Sequence, residues 1–106
     1  LMTHSDPPDA VVCGNDMIAI GVLRYAEEKG ITVPDRLGIV GFDDIEIAAL
    51  PQINLTTISQ YSSEKIGDYA ARILISAIES TEENKTEHKV LKTKLIQRGT
   101  TRLIVE

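Results

Sequence analysis

Val11-Val12-Cys13-Gly14-Asn15-Asp16-Met17 and, after a helical stretch, Leu37-Gly38-Ile39-Val40-Gly41-Phe42-Asp43-Asp44 decide how this chain folds. Each is a short apolar run that ends in small residues and then an amide or a carboxylate. Two such runs joined by a helix form a strand–helix–strand unit, which crosses over right-handed in a parallel sheet. In open parallel sheets the ligand crevice lies outside the carboxyl ends of the strands. Polar side chains there can face a ligand while the strands behind them stay dry. Asn15 and Asp43 occupy those ends, where a small polar molecule would be held.

Working outward, Ala10–Cys13 reads as a short buried strand. Asn15 or Asp16 then caps a helix, since either side chain can accept from the free amides of the first turn. That helix runs to about Lys29, with Gly30 as its left-handed terminator. From Met17 through Leu23 no residue is charged. A helix apolar all round is buried on more than one side, so a neighbouring helix or a second subunit is expected over its outer face. Pro34 stops any continuation, and Leu37–Phe42 reads as a strand buried on both faces. Asp43 ends it, Asp44 is expected to cap the apolar segment Ile45–Leu50, and Pro51 closes that segment.

Leu55–Ser59, with two threonines and an isoleucine, predicts a third strand. Ser62 or Ser63 is expected to cap the next helix, with Glu64 in its first turn. Ile66, Tyr69, Ala70, Ile73, Leu74, Ala77 and Ile78 then follow helical spacing, and Lys65, Asp68, Arg72 and Glu79 take the other face. The helix ends near Ser80. Thr81–Glu87 is a polar loop, and Lys89–Arg98 alternates, predicting one or two extended segments with an exposed face.

A length of 106 residues bounds the chain to one modest domain at most. The net charge of −5, with scattered basic residues, argues against this segment binding nucleic acid by itself, because phosphate contacts need clustered Lys and Arg. No apolar run is long enough to span a bilayer, and no secretory segment opens the chain, so no membrane partner is expected. Cys13 is the single cysteine and forms no intrachain disulfide; in an apolar strand it reads as a buried small side chain. His4 and His88 lie far apart without ligand-spaced partners, so neither a metal nor a cofactor is expected. Nothing pairs a nucleophile with a base, and the chain reads as a non-enzyme. Leu1–Pro8 looks like the tail of an earlier segment, the end of a helix followed by a turn-forming linker, so the chain is expected to be a fragment of a longer protein.

A phosphate-handling receiver-type domain, using Asp43-Asp44 as a metal-binding pair with Asp16, is a competing reading. It needs a strand-end Lys that the chain lacks, since Lys92 and Lys94 lie in the alternating exposed run.

Five pieces in register, Gly14-Asn15-Asp16-Met17-x-Ala19-x-Gly21, Gly30-x-x-Val33-Pro34, Val40-Gly41-Phe42-Asp43-Asp44, Leu55-Thr56-Thr57-Ile58-x-Gln60 and Gln97-Arg98-Gly99-Thr100-Thr101, resemble the effector-binding domain of LacI/GalR-type transcriptional repressors. The resemblance implies an α/β, Rossmann-like three-layer parallel sheet, part of a periplasmic-binding-protein-like fold of two lobes around a cleft. Residues 1–9 would be a linker, 10–60 the carboxyl-terminal lobe, 61–80 a helix of the amino-terminal lobe, and 88–106 the return. It implies a cytoplasmic homodimer that senses a small-molecule effector, a carbohydrate by expectation, and reaches operator DNA only through an amino-terminal headpiece outside this chain. An exported sugar-binding protein of the same fold is the alternative.

By the same resemblance Asp43 accepts hydrogen bonds from effector hydroxyls. An ionised carboxylate can serve two adjacent hydroxyls through charge-assisted bonds. Asn15 offers both donor and acceptor, Asp16 serves as the cap and a structural residue, and Gln60 reaches the cleft or fixes the hinge. The family's stacking aromatic falls by position at Ser62, which leaves Tyr61, one residue earlier, as the candidate. Met17, Leu23, Ile45, Ile47 and Leu50 fall in segments that contribute to the family's dimer interface.

Overall fold

Strand β1 (Ala10–Val12) lies parallel to β2 (Gly38–Val40), with Ala10 opposite Gly38, Val11 opposite Ile39 and Val12 opposite Val40. The computed structural model describes residues 1–60, 65–83 and 86–103. Parallel strands need a crossover, and α1 (Asp16–Glu28) supplies it. The helix starts where Asn15, in extended conformation, accepts from the Ile18 amide. It stops at Lys29, whose amide still bonds the Tyr25 carbonyl at 3.0 Å, and Gly30 follows at φ +66°. That conformation is one a β-carbon disfavours.

The chain divides into two compact units, one of residues 1–59 with the tail from Leu95, the other Gln60–Lys94. In the first, Cys13, Ala19, Leu37, Ile39, Ala48 and Leu55 form the buried core, with Val11, Ile20, Val22 and Ile53 among those packed on it. A parallel bridge joins Val40 to Thr56, and the bonds from Gly41 N to Thr56 O and from Asp43 N to Ile58 O, both 2.9 Å, carry β2's pairing along β3 (Thr57–Ser59). Strand β4 (Lys94–Ile96) pairs with β3.

After β4 the tail turns back on the sheet. The Ile39 amide donates to Thr100 O at 2.8 Å, Thr100 Oγ1 donates to Ile39 O at 2.7 Å and accepts from the Thr56 amide at 2.9 Å. Thr56 Oγ1 accepts from the Arg98 amide at 2.9 Å and lies 2.8 Å from Thr101 Oγ1. Thr56, Thr57 and Thr100 are thus buried without an unsatisfied polar group, which burial of a hydroxyl demands.

Several expectations are corrected here. The strand β1 is not buried: Val11 leans on the core, but Ala10 is exposed and Val12 is 76% exposed. Successive strand residues face opposite sides, so Ala10 and Val12 share the exposed face while Val11 takes the other. Likewise α1 buries Ala19 and Ala26 while Met17 and Ile18 stay exposed, so its apolar surround is covered on one side only within this chain. The segment after Asp44 is a 3-10 helix, Glu46–Ala49, preceded by Ile45 without a side-chain cap; Asp44 does not cap it. The alternating run Lys89–Arg98 yields only the three residues of β4, matching the three that β3 offers for pairing.

The second unit is built on α2 (Ile66–Glu79), whose start at Lys65 has no side-chain cap bond. The expected caps Ser62 and Ser63, with Glu64, lie outside the described residues. On α2, the Tyr69 hydroxyl donates to Glu87 at 3.0 Å, and the cations of Arg72 and Lys89 stand 5.2 and 5.0 Å from the Tyr69 ring centroid. Ile66, Leu74, Ile75 and Ile78 are exposed.

Candidate functional site

The pairing of β1 with β2 runs on beyond the strands. Cys13 N donates to Val40 O at 2.8 Å and Asp16 N to Phe42 O at 2.9 Å, which laces the loop holding Asn15 to the residue before Asp43. The Asp43 amide in turn bonds Ile58 O near the end of β3. The ends of three parallel strands therefore meet here, and the two residues singled out from the sequence arrive on adjacent ones.

Asn15 is half-buried and its carbonyl oxygen accepts from the Ile18 amide at 2.9 Å. A cap of this kind contributes about 1 kcal/mol to helix stability. Capping occupies only Oδ1; the Nδ2 group is a donor that a hydroxylated ligand could use. Asp43 is half-buried at φ +109°, and Asp44 follows at φ +53°. Two consecutive non-glycine residues at positive φ are uncommon and cost roughly 1–3 kcal/mol each, a pattern that clusters at functional sites.

Asp16 is not a cap. Its side chain is wholly buried; Oδ1 accepts from the Thr57 hydroxyl at 2.5 Å and Oδ2 from the Ile45 amide at 2.9 Å. One carboxylate thereby ties the start of α1 to β3 and to the residue after the Asp43-Asp44 turn. Gly41 lies directly against it: a β-carbon there would overlap Asp16 Oδ1 and fall 3.0 Å from Leu55 Cδ2 and 3.2 Å from Asp16 Cα. Asp44 accepts from Arg98 Nη2 at 2.9 Å, while Arg98 Nη1 donates to Leu55 O at 2.9 Å. With Asp44 committed to Arg98 and Asp16 to Thr57 and Ile45, these acids do not present the open metal-binding group that the receiver-type reading requires.

Gln60, half-buried, follows β3 directly and is the first residue of the second unit; Tyr61 lies outside the described residues. Of the apolar candidates, Leu23 and Ile45 pack partly on the core, whereas Met17, Ile47 and Leu50 are exposed. Leu23 also lines a groove of about 410 Å³ with Ile20, Arg24, Glu27, Ile31 and Ile53. Burial pushes the Cys13 thiol pKa up, which keeps it protonated and unreactive, in keeping with a packing role.

Arg98 and Thr57 matter here although sequence reasoning gave neither a role. Both stand inside the motifs quoted above, but their partners are distant in sequence.

Residues 1–101 match the family described as periplasmic binding protein-like domain. The chain is similar to an arabinose metabolism transcriptional repressor from Geobacillus stearothermophilus, 39% identical over 92% of this chain and 26% of the relative. Among solved structures it resembles a LacI-family transcriptional regulatory protein from Corynebacterium glutamicum, with a TM-score of 0.72 and 38% identity over 87% of this chain and 35% of that one. It also resembles a LacI-family regulator from Lactobacillus casei with bound sucrose, with a TM-score of 0.71 and 26% identity over 89% of this chain and 34% of that one. The chain spans about a quarter of the length of the curated relatives it matches.

Proposed function

We propose, since the chain belongs to the periplasmic-binding-protein-like domain family, that it is part of the effector-sensing region of a sugar-responsive transcriptional repressor. The observation that carries this reading is the pairing of Asn15 and Asp43 on adjacent strand ends, with Asp43 held in a rarely adopted backbone conformation. A carboxylate that accepts from neighbouring hydroxyls beside an amide that donates suits a polyol. The named relatives, an arabinose metabolism repressor and a regulator with bound sucrose, support a carbohydrate.

In this reading residues 10–60 and 88–106 serve one lobe, residues 61–80 a helix of the other, and Gln60 and Tyr61 remain candidate effector contacts on the strength of the sequence. Effector binding shifts the balance between two arrangements of the lobes, to the extent that it binds one better than the other. Operator DNA is reached through a separate headpiece, and the regulator works in the cytoplasm without catalysing a reaction. The exported sugar-binding alternative is the weaker reading, because the relatives named above are repressors and regulators.

In the full-length regulator, calorimetry with arabinose, ribose and sucrose tests the assignment. Asp43→Asn should weaken the sugar that binds by about ten- to a hundredfold, the loss of one charge-assisted hydrogen bond, with operator binding intact. An unchanged titration would remove Asp43 from the site.

Assembly as a homodimer belongs to the same reading. The bond from Ile45 N to Asp16 Oδ2 sets the start of the 45–50 segment beside the first turn of α1, and Met17, Ile47 and Leu50 expose apolar surface, while Leu23 and Ile45 pack against the core. In the full-length protein, Leu50→Asp should move the sedimenting species from dimer toward monomer. A dimer of undiminished stability would take this face out of the interface.

A further inference from the structure

The Asp43-Asp44 turn, at φ +109° and +53°, persists only if its surroundings hold it. Hydrogen bonds do so. Asp43 N donates to Ile58 O at 2.9 Å, Asp44 N to Thr57 Oγ1 at 3.4 Å, and Ile45 N to Asp16 Oδ2 at 2.9 Å. These act on the main chain. Another, from Arg98 Nη2 to Asp44 Oδ1 at 2.9 Å, grips a side chain of the turn itself.

Arg98 is well placed to act as an anchor because it is fixed independently. Its amide is bonded to Thr56 Oγ1 and its Nη1 to Leu55 O, both at 2.9 Å, so the guanidinium rests on the approach to β3 before it meets Asp44. Two donors from one planar, permanently charged fork are spent on two acceptors at once, which a lysine ammonium on a flexible stem does less well. The paired side chains are only 17% and 25% exposed, so the ion pair is screened far less than one on the surface.

We propose that Arg98 is a positioning residue for the effector site: through the Asp44 carboxylate it holds the turn that presents Asp43. What Asp43 binds rests on the sensing function proposed above; how Asp43 is held does not. Arg98 itself touches no effector in this assignment.

Residue-resolved amide hydrogen exchange on the full-length protein separates the two questions. Asp44→Asn and Arg98→Met should each speed exchange at the Asp43 and Asp44 amides by about tenfold. The Cys13 amide, bonded to Val40 O in the same unit, should keep its rate. Arg98→Lys should fall between wild type and Arg98→Met, and the Asp44→Asn/Arg98→Met double variant should be no faster than the faster single, since both remove one contact. Equal acceleration at Cys13, or unchanged exchange at Asp43, would overturn the assignment. Should Arg98→Met fail to fold, Asp44→Asn carries the same comparison, because asparagine tolerates the left-handed backbone. In calorimetry with arabinose, ribose and sucrose, the sugar that binds wild type should bind Asp44→Asn about tenfold more weakly. If none of the three binds wild type, that counts against the sensing function, and the exchange rates still decide the role of Arg98.

Discussion

Gly41→Ala should destabilise the fold by about 3 kcal/mol or more. The added β-carbon would have to share space with the Asp16 carboxylate and crowd both Leu55 Cδ2 and the Asp16 backbone. None of these can step aside cheaply. The carboxylate is wholly buried and bonded on both oxygens, Leu55 is fully buried in the core, and Asp16 Cα belongs to α1. Overpacking against partners that cannot move costs about 3 kcal/mol or more, a large share of the roughly 5–15 kcal/mol that holds a domain folded. Gly21→Ala is the matched control. Beyond its own chain neighbours and helix backbone, no atom lies within 4 Å of a β-carbon there, and in a helix the exchange should stabilise by about 0.5–1 kcal/mol. Urea unfolding followed by circular dichroism reads both. A Gly41→Ala variant with a wild-type midpoint would mean that Asp16 does not sit as described.

Asp16→Ala should be nearly as damaging, for the opposite reason. It creates space but strips the partner from the Ile45 amide and the Thr57 hydroxyl. Each buried donor left without an acceptor costs about 1–3 kcal/mol, so the pair puts the expected loss at about 2–6 kcal/mol. Adding Thr57→Val removes one of the two stranded donors. The double variant should therefore be more stable than the sum of the single effects, with a coupling of about 0.5–3 kcal/mol in a double-mutant cycle. Strictly additive losses would show that the two side chains act independently.

The contrast between these residues and Asn15 explains what could be read in advance. The helix start at Asn15 or Asp16, the stop at Gly30 and the presence of two parallel strands follow from rules that act within a few residues and are legible in the sequence. The cap is Asn15 alone, however, and the strands end at Val12 and Val40, short of Cys13 and Phe42. The family to which residues 1–101 belong is legible too, because its motifs recur in order. The role of Asp16 was not legible, since its hydroxyl partner lies 41 residues away. Local rules make any aspartate before an apolar segment a cap, and Asp44 reads so in the sequence; its partner in the fold, Arg98, is 54 residues on. Val12 and Met17 show a further limit. Apolarity says that a side chain favours cover, but nothing in a single sequence says which surface supplies it.

The return of residues 97–101 to the sheet also sets an order in which a growing chain can build this turn. Thr56 and Thr100, bonded to each other, are separated by 44 residues, which a ribosome takes about 2–9 s to add. Until Thr100 has left the exit tunnel, the Thr56 amide and the Ile39 carbonyl have no partner from the tail, and Asp44 waits for Arg98. Translation thus completes the strand-end turn only after the core around Leu37 and Ile39 has been made.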